Sequence, residues 1–152
     1  MANVRFTVTQ PFDTPARTVW DALIDWKGHE TWIPATKVEI HTDGDPSAVG
    51  SEFTATTGYG PLALPDTMRV TRCAWDDGAG TGDCEVEKLG PVLTGRAGFT
   101  IEPTSETASE VVWIEDVEVR YLPRFLAPIA KVAGAAGFRL GMRKLGKQLT
   151  TR

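Results

Sequence analysis

The sequence contains very little cysteine and histidine, and this scarcity excludes several kinds of site. Two cysteines and two histidines among 152 residues are too few for a disulfide-rich scaffold. Cys73 and Cys84 flank a glycine-rich turn, so we expect them to face each other on a hairpin as a reduced pair. His29 and His41 lack metal-ligand spacing to each other or to the cysteines. We therefore predict no metal site.

Long apolar runs and nucleotide-binding or nucleophile motifs are also missing. No stretch of about 18 or more apolar residues occurs, which predicts no stable membrane insertion. The segment 1–10 lacks the apolar core of a signal peptide, so we expect a cytoplasmic protein. The glycine cluster 78–82 lies in a predicted hairpin and has no following helix to hold a phosphate. We expect no cofactor.

Acidic residues are absent from one end of the chain. Residues 121–152 contain seven basic and no acidic residues, which leaves nine basic and twenty acidic residues before them, or −11 against +7. The net charge of −4 argues against a generally basic nucleic-acid-binding domain, so no nucleic-acid partner is expected. The split favours docking of the basic segment on the acidic remainder, although basic residues among apolar ones also suit an anionic membrane surface.

What is present is ordinary for a globular chain. Hydrophobic residues make up 41% and charged residues 24% of the sequence. The length predicts one domain that spans residues 1–152 and is large enough to bury a core without disulfides.

Residue periodicity predicts the order of the elements. Val4–Val8 alternates as a half-buried strand does. Thr14 is the predicted N-cap and Pro15 the first residue of an amphipathic helix of about ten residues, and a short helical turn follows at 29–32. The further strand patterns cover 36–41, 51–57, 67–75, 83–89, 94–102 and 111–121, and a helical pattern covers 125–149.

Short turns between consecutive strands favour antiparallel pairing, and a sheet of this kind needs a cover for its apolar face. The last helix is the only predicted element long enough to provide it. The expected fold class is α+β, a curved antiparallel sheet of about seven strands around a long C-terminal helix, with two short helices after strand one.

Several segments together resemble a known superfamily. The segment 6–25, the Trp32-Ile33-Pro34 turn, Val112-Trp113 and the spacing of Leu145 and Leu149 are similar to START-like, Bet v 1-like (SRPBCC) proteins of the polyketide cyclase/dehydrase and lipid transport family. The resemblance implies a helix-grip fold with an internal cavity for a hydrophobic or aromatic small molecule. Fold alone does not choose among the functions of such proteins.

Three functions therefore stay open. The first is binding of a lipid or polyketide-like molecule in the cavity. The second is a cyclase/aromatase or dehydrase reaction on such a molecule, without metal or nucleotide. The third is a membrane-surface or protein-interaction role of the basic last helix.

Glu115 is the candidate catalytic residue. It shares strand parity with Val111, Trp113 and Val117, so it is expected to face the interior. A buried carboxyl is costly unless it is paired or protonated, and it could act as a general acid or base or anchor a ligand. The alternatives are a salt bridge to an arginine or a bulge that turns it outward.

The candidate cavity residues are large apolar side chains on predicted inner faces, at one loop, or on the last helix: Trp32, Phe53, Tyr59, Met68, Val70, Phe99, Trp113, Phe138 and Met142. They would line a cavity or simply fill the core. The loop 58–66 would gate the cavity or pack on the sheet edge. Arg69, Arg72 and Arg96 are either ligand partners or surface charges.

The last helix carries two apolar stripes on nearly opposite sides. The stripe with Phe138, Met142, Leu145 and Leu149 is expected to face the sheet, because the resemblance implies this position for the C-terminal leucines. The other stripe would cover the cavity mouth, form a homodimer, touch a membrane, or merge with the first through a kink near Pro128. Its members are Phe125, Ile129, Val132, Ala133, Ala136 and Leu140.

Overall fold

A single antiparallel sheet dominates residues 1–151, the part of the chain that the computed structural model describes. Within these residues seven strands pair in the order β1-β7-β6-β5-β4-β3-β2. The strands are β1 Ala2–Phe12, β2 Thr36–Ile40, β3 Glu52–Thr57, β4 Leu64–Asp76, β5 Thr81–Leu89, β6 Leu93–Pro103 and β7 Ser109–Val119. The helices are α1 Ala16–Leu23, α2 Ala127–Thr150 and the 3₁₀ turns Lys27–Thr31, Gly60–Leu62 and Arg124–Leu126.

This arrangement confirms the α+β, helix-grip expectation. Strands β2 to β7 are sequential antiparallel neighbours. The last strand, β7, also pairs with β1, so β1 and β2 form the edges of the sheet. Alternate residues of β1 and β7 are buried, as the period-two pattern predicts. Strand β4 is longer than its pattern suggests and contains an irregularity between Val70 and Arg72, which interrupts simple alternation.

Helix α1 packs on the sheet through Val19, Trp20 and Leu23, as its pattern predicts. The predicted cap is wrong. Pro15 occupies the N-cap position with extended backbone angles, so Thr14 lies one residue too early to reach the helix N–H groups. The Thr14 hydroxyl is instead buried without a hydrogen-bond partner among the described residues.

A glycine in β5 determines how closely α1 approaches the sheet. A Cβ atom at Gly82 would lie 2.3 Å from the ring of Trp20. That ring is buried and lies 5.6 Å, centroid to centroid, from Phe99 and 5.9 Å from Trp75. The missing side chain therefore creates the space that the indole occupies.

Helix α2 docks through one of its two stripes. Met142, Leu145 and Leu149 are buried, and Phe138 is half-buried, so the expected orientation is confirmed. The other stripe does not merge with it, because α2 runs without interruption and Pro128 lies in its first turn, where no backbone N–H is needed. That stripe stays exposed.

The segment Arg124–Thr150 is, by length and composition alone, the one helix of the described chain that is apolar enough to cross a membrane, and an 18-residue stretch within it has a mean hydropathy of 1.2. This is weak evidence for a span, because core helices of globular proteins meet the same criterion. One side of α2 is docked on the protein, and its other side carries several basic residues. The absence of stable insertion stays a prediction.

Candidate functional site

A small enclosed cavity lies between the concave face of the sheet and the segment that follows α1. Its volume is about 60 Å³. Apolar side chains supply most of its wall, with one histidine and one glutamate among them. The lining residues are Trp26, His29, Ile33, Phe53, Ala55, Met68, Cys84, Val86, Ala97, Gly98, Phe99, Trp113 and Glu115.

Trp113 is the centre of the aromatic wall. Its ring stacks on Phe99 at 5.3 Å and on Phe138 of α2 at 4.7 Å, measured between ring centroids. Trp32 meets it edge-on at 6.3 Å. Phe138 is not part of the cavity wall, so α2 supports the wall from behind through its contact with Trp113.

Three ionisable side chains converge behind the aromatic wall. Glu115 of β7 and Lys88 of β5 are both buried, with Oε2 and Nζ 3.4 Å apart. Asp66 of β4 is closer still to Nζ. The indole N–H of Trp113 donates to Oε1 of Glu115 at 3.1 Å. The cluster therefore holds one ammonium and two carboxyl groups, of which Glu115 reaches the cavity.

Burial and charge act in opposite directions on this cluster. Burial disfavours the charged form of Lys88, but the carboxylates of Glu115 and Asp66 outweigh it and raise the pKa of the ammonium. Burial also raises the pKa of Glu115, and the attraction of Lys88 only partly offsets this. Asp66 contributes to both pKa shifts. Its carboxylate stabilises the nearby ammonium of Lys88, and it repels negative charge on Glu115, which favours the protonated carboxyl. Glu115 thus binds a proton more readily than an exposed glutamate does.

His29 is the second polar group on the cavity wall. It is buried, and its Nε2 donates to the carbonyl oxygen of Leu23 at 2.7 Å, since a carbonyl can only accept. This hydrogen bond leaves Nδ1 as the unprotonated nitrogen. Burial lowers the pKa of the imidazole to about 4, against a weaker opposing effect of the Leu23 hydrogen bond, so the ring is neutral near pH 7.

The structure separates the predicted site residues into two groups. Phe53, Met68, Phe99, Trp113 and Glu115 lie together on the cavity wall. The others, apart from Tyr59, pack in the core around it without lining it: Trp32, Val70, Phe138 and Met142.

The expectation that Tyr59 lines the cavity is wrong. Its side chain is 80% exposed, and Leu62 of the same loop is 87% exposed. The 3₁₀ turn Gly60–Leu62 directs these side chains to solvent, so Tyr59 does not contribute to the cavity wall. A gating role for the loop stays a prediction.

Sequence reasoning missed Lys88, Asp66, His29 and Trp26. Lys88 shares the inward parity of Cys84 and Val86 in β5, so strand alternation could have identified it. Trp26 stacks on Phe53 at 4.7 Å and donates from Nε1 to the carbonyl oxygen of Pro46, contacts that no local pattern indicates.

Two further expectations concern polar residues near the site. Cys73 and Cys84 are directly opposed in the β4–β5 pairing and are free thiols, which confirms the facing pair.

Arg69 and Arg72 are exposed on the outer face, where they pair with surface carboxylates rather than with Glu115. The partner of Glu115 is therefore a lysine and not the arginine considered from sequence.

The fold and the cavity define a class, that of helix-grip proteins with an interior cavity lined mainly by apolar side chains. The model of the family described as polyketide cyclase / dehydrase and lipid transport matches residues 3–150, and the chain belongs to this family. No curated protein matches the sequence.

Solved structures share the fold at low identity. A START superfamily protein from Mycobacterium smegmatis has a TM-score of 0.70 at 16% identity, with 97% of each chain covered. A solution structure from Thermobifida fusca has a TM-score of 0.66 at 20% identity, covering 98% of this chain and 93% of that one. The crystal structure of Ara h 8.0201 has a TM-score of 0.62 at 13% identity, covering 99% and 100%.

Proposed function

We propose that the protein binds a small, flat, largely apolar molecule in the cavity, with a hydroxyl or carbonyl oxygen of that molecule at Glu115. The observation that carries this proposal is an interior wall of mainly apolar side chains, four of them Trp or Phe, interrupted by a single buried carboxyl. Burial raises the pKa of Glu115, which favours the protonated form. The protonated carboxyl can donate to a carbonyl of the ligand, and the ionised carboxylate can accept from a hydroxyl.

The volume of the cavity bears on how a ligand enters. About 60 Å³ holds a few water molecules, whereas ligand sites usually measure about 300–1,000 Å³. A bicyclic ligand therefore requires the cavity to enlarge. A shift of Phe138, which is half-buried and lies behind Trp113, would allow the indole of Trp113 to move outward and enlarge the cavity.

Binding of 2-naphthol and of naphthalene, measured by titration calorimetry, tests the proposal. Ala55 lines the cavity and is half-buried, so Ala55→Leu fills part of the space and is expected to weaken binding of both probes about tenfold. Ala74→Leu, an equal increase in volume at an exposed position of β4, is the matched control and should leave binding unchanged.

Glu115→Gln adds a test of the polar contact. We expect it to reduce the preference for 2-naphthol over naphthalene, because an amide is a weaker donor than a carboxylic acid and a weaker acceptor than a carboxylate. Failure of wild-type protein to bind either probe, or equal loss in Ala55→Leu and Ala74→Leu, would contradict the proposed site.

A second candidate function is a cyclase- or dehydrase-type reaction in the same cavity. The observation that favours it is the convergence of Glu115, Lys88 and Asp66, since an acid with a raised pKa in a site of low polarity is suited to proton transfer. Cyclisation of a linear poly-β-ketone by wild-type protein and by Glu115→Gln distinguishes catalysis from carriage. A rate equal to the spontaneous one in both proteins would leave binding alone.

A further inference from the structure

Helix α2 exposes a continuous apolar stripe on the side that faces away from the sheet. Ile129, Val132 and Leu140 are 60–69% exposed, and Ala136 between them is also exposed. On an ideal helix of about 100° per residue these four side chains lie within an arc of about 80°. Phe125, 78% exposed, precedes them in the 3₁₀ turn. We call these five residues the outer stripe.

Basic residues border and extend the outer stripe. Arg139, Arg143 and Lys147 fall on the same side of the helix, and Arg124 lies in the preceding 3₁₀ turn. Lys131 lies about 100° around the helix from Val132, on the side towards β1. No acidic residue occurs in 121–152. Within the described chain these five cations make no ion pair with a carboxylate. The exposed side of α2 is therefore apolar and positively charged at once.

A groove between α2 and the edge strand β1 adjoins this stripe. It measures about 620 Å³ and is open to solvent. Arg5, Lys131 and Arg139 supply charge to its walls, and Phe6 and Val132 supply apolar surface. The carboxylate nearest in register to Arg5 is Asp116 across the β1–β7 pairing, which does not line the groove. The groove thus presents three cations to any anionic group within it.

We propose that α2 docks on the surface of an anionic phospholipid bilayer. The outer stripe enters the boundary between headgroups and acyl chains, and the groove receives a lipid phosphate. A basic, apolar-faced helix lying in the plane of the interface has this chemistry, and each Lys or Arg near an anionic surface contributes about 1 kcal/mol. This proposal does not depend on what the internal cavity binds.

Charge and burial argue against two other roles of this surface, a symmetric dimer contact and a helix that spans the bilayer. A symmetric dimer through the outer stripe would bring Arg139, Arg143 and Lys147 of two copies together, and like charges repel. A helix that spans the bilayer would have to release Met142 and Leu145 from the core, where both are buried. A bilayer surface satisfies the cations and leaves the docked side of α2 in place.

Vesicle flotation tests the proposal with the full chain. We expect binding to phosphatidylcholine vesicles that contain about one third phosphatidylglycerol, little binding to pure phosphatidylcholine, and release as salt rises from about 0.05 M to 0.5 M. Absence of binding to the anionic vesicles at the lower salt concentration would overturn the proposal, as would equal binding to both lipid mixtures.

Charge-reversal variants locate the contact. Lys131→Glu with Arg139→Glu should reduce the fraction bound at least about tenfold. Lys37→Glu with Arg96→Glu makes the same change in net charge at exposed positions away from α2, and binding should stay close to wild type. Equal loss in the two double variants would show a nonspecific charge effect and reject the docking surface.

A third variant tests the apolar part of the contact and self-association. Ile129→Gln with Val132→Gln keeps the charge and is expected to weaken vesicle binding, with unchanged far-UV circular dichroism. Sedimentation of wild-type protein without lipid should give a monomer. A dimer that the Gln variant abolishes would assign the outer stripe to a second copy and overturn the membrane proposal.

Discussion

Burial determines the charge of the two ionisable side chains on the cavity wall. Glu115 binds a proton more readily than an exposed glutamate, and His29 binds one less readily than an exposed histidine. Both groups therefore tend towards their neutral forms, as an apolar interior requires. Lys88 stays charged because Asp66 and Glu115 surround its ammonium.

The His29→Gln variant tests the effect of burial on the histidine. The pKa of His29 is lowered from 6.5 to about 4 in the folded chain. Stability from this group is present above pH 6.5 and is lost as the pH falls towards 4. At about 1.4 kcal/mol per pH unit the full loss is about 3 kcal/mol. Glutamine retains a donor for the Leu23 carbonyl oxygen but cannot take up the proton.

Urea unfolding of wild type and variant between pH 7 and pH 4 measures this effect. As the pH is lowered, we expect the free energy of unfolding of His29→Gln to decrease less steeply than that of wild type. His41→Gln, a change at the exposed histidine, serves as the control and should follow the wild-type curve. Parallel curves for His29→Gln and wild type would show that the buried ring does not resist protonation.

At the scale of the element, α2 is attached to the sheet mainly along β1. A Cβ atom at Gly134 would lie 2.7 Å from the Phe6 ring of β1, and one at Gly137 would meet nothing within 4 Å. Phe6 in turn packs against Phe138 at 5.9 Å between ring centroids. Helix α2 therefore approaches β1 closely at Gly134, whereas the space around Gly137 is open.

Two glycine-to-alanine variants of α2 separate packing from helix propensity. Gly137→Ala is expected to raise the free energy of unfolding by about 0.5–1 kcal/mol, because alanine favours the helix and meets no obstacle. Gly134→Ala gains the same propensity but forces the Phe6 ring aside, at an expected net cost of about 1–3 kcal/mol. Chemical unfolding measures both, and equal values would show that α2 is not pressed against β1 at Gly134.

At the scale of the whole molecule, the charge split has little part in holding the fold together. The basic residues of α2 make no ion pair with carboxylates in the described part of the chain, although residues 1–120 carry −11. Packing of Met142, Leu145 and Leu149 holds the helix instead. The positive charge of α2 is therefore available to a partner.

Salt dependence of stability tests this view. Raising the salt concentration from about 0.05 M to 0.5 M should change the free energy of unfolding by less than about 1 kcal/mol, because exposed charges interact weakly and are screened. Urea titration at the two concentrations measures the change. A loss of several kcal/mol would mean that attraction between α2 and the acidic remainder supports the fold.

The sequence by itself determined the features that repeat along consecutive residues. Period-two alternation placed Glu115 on the inner face of β7, and helical spacing identified two apolar stripes on α2. The choice of the stripe that docks rested on the family resemblance. Such patterns follow from burial of one face, so they are visible without knowledge of the partner element.

Only the tertiary structure decided which separate segments meet. Asp66, Lys88 and Glu115 come from three strands, and their convergence depends on the pairing register and the irregularity in β4. The same holds for the contact between Phe138 and Trp113, because these rings reach each other only after α2 has docked. Local periodicity records which way a side chain faces, whereas the contact it makes there is a property of the assembled chain.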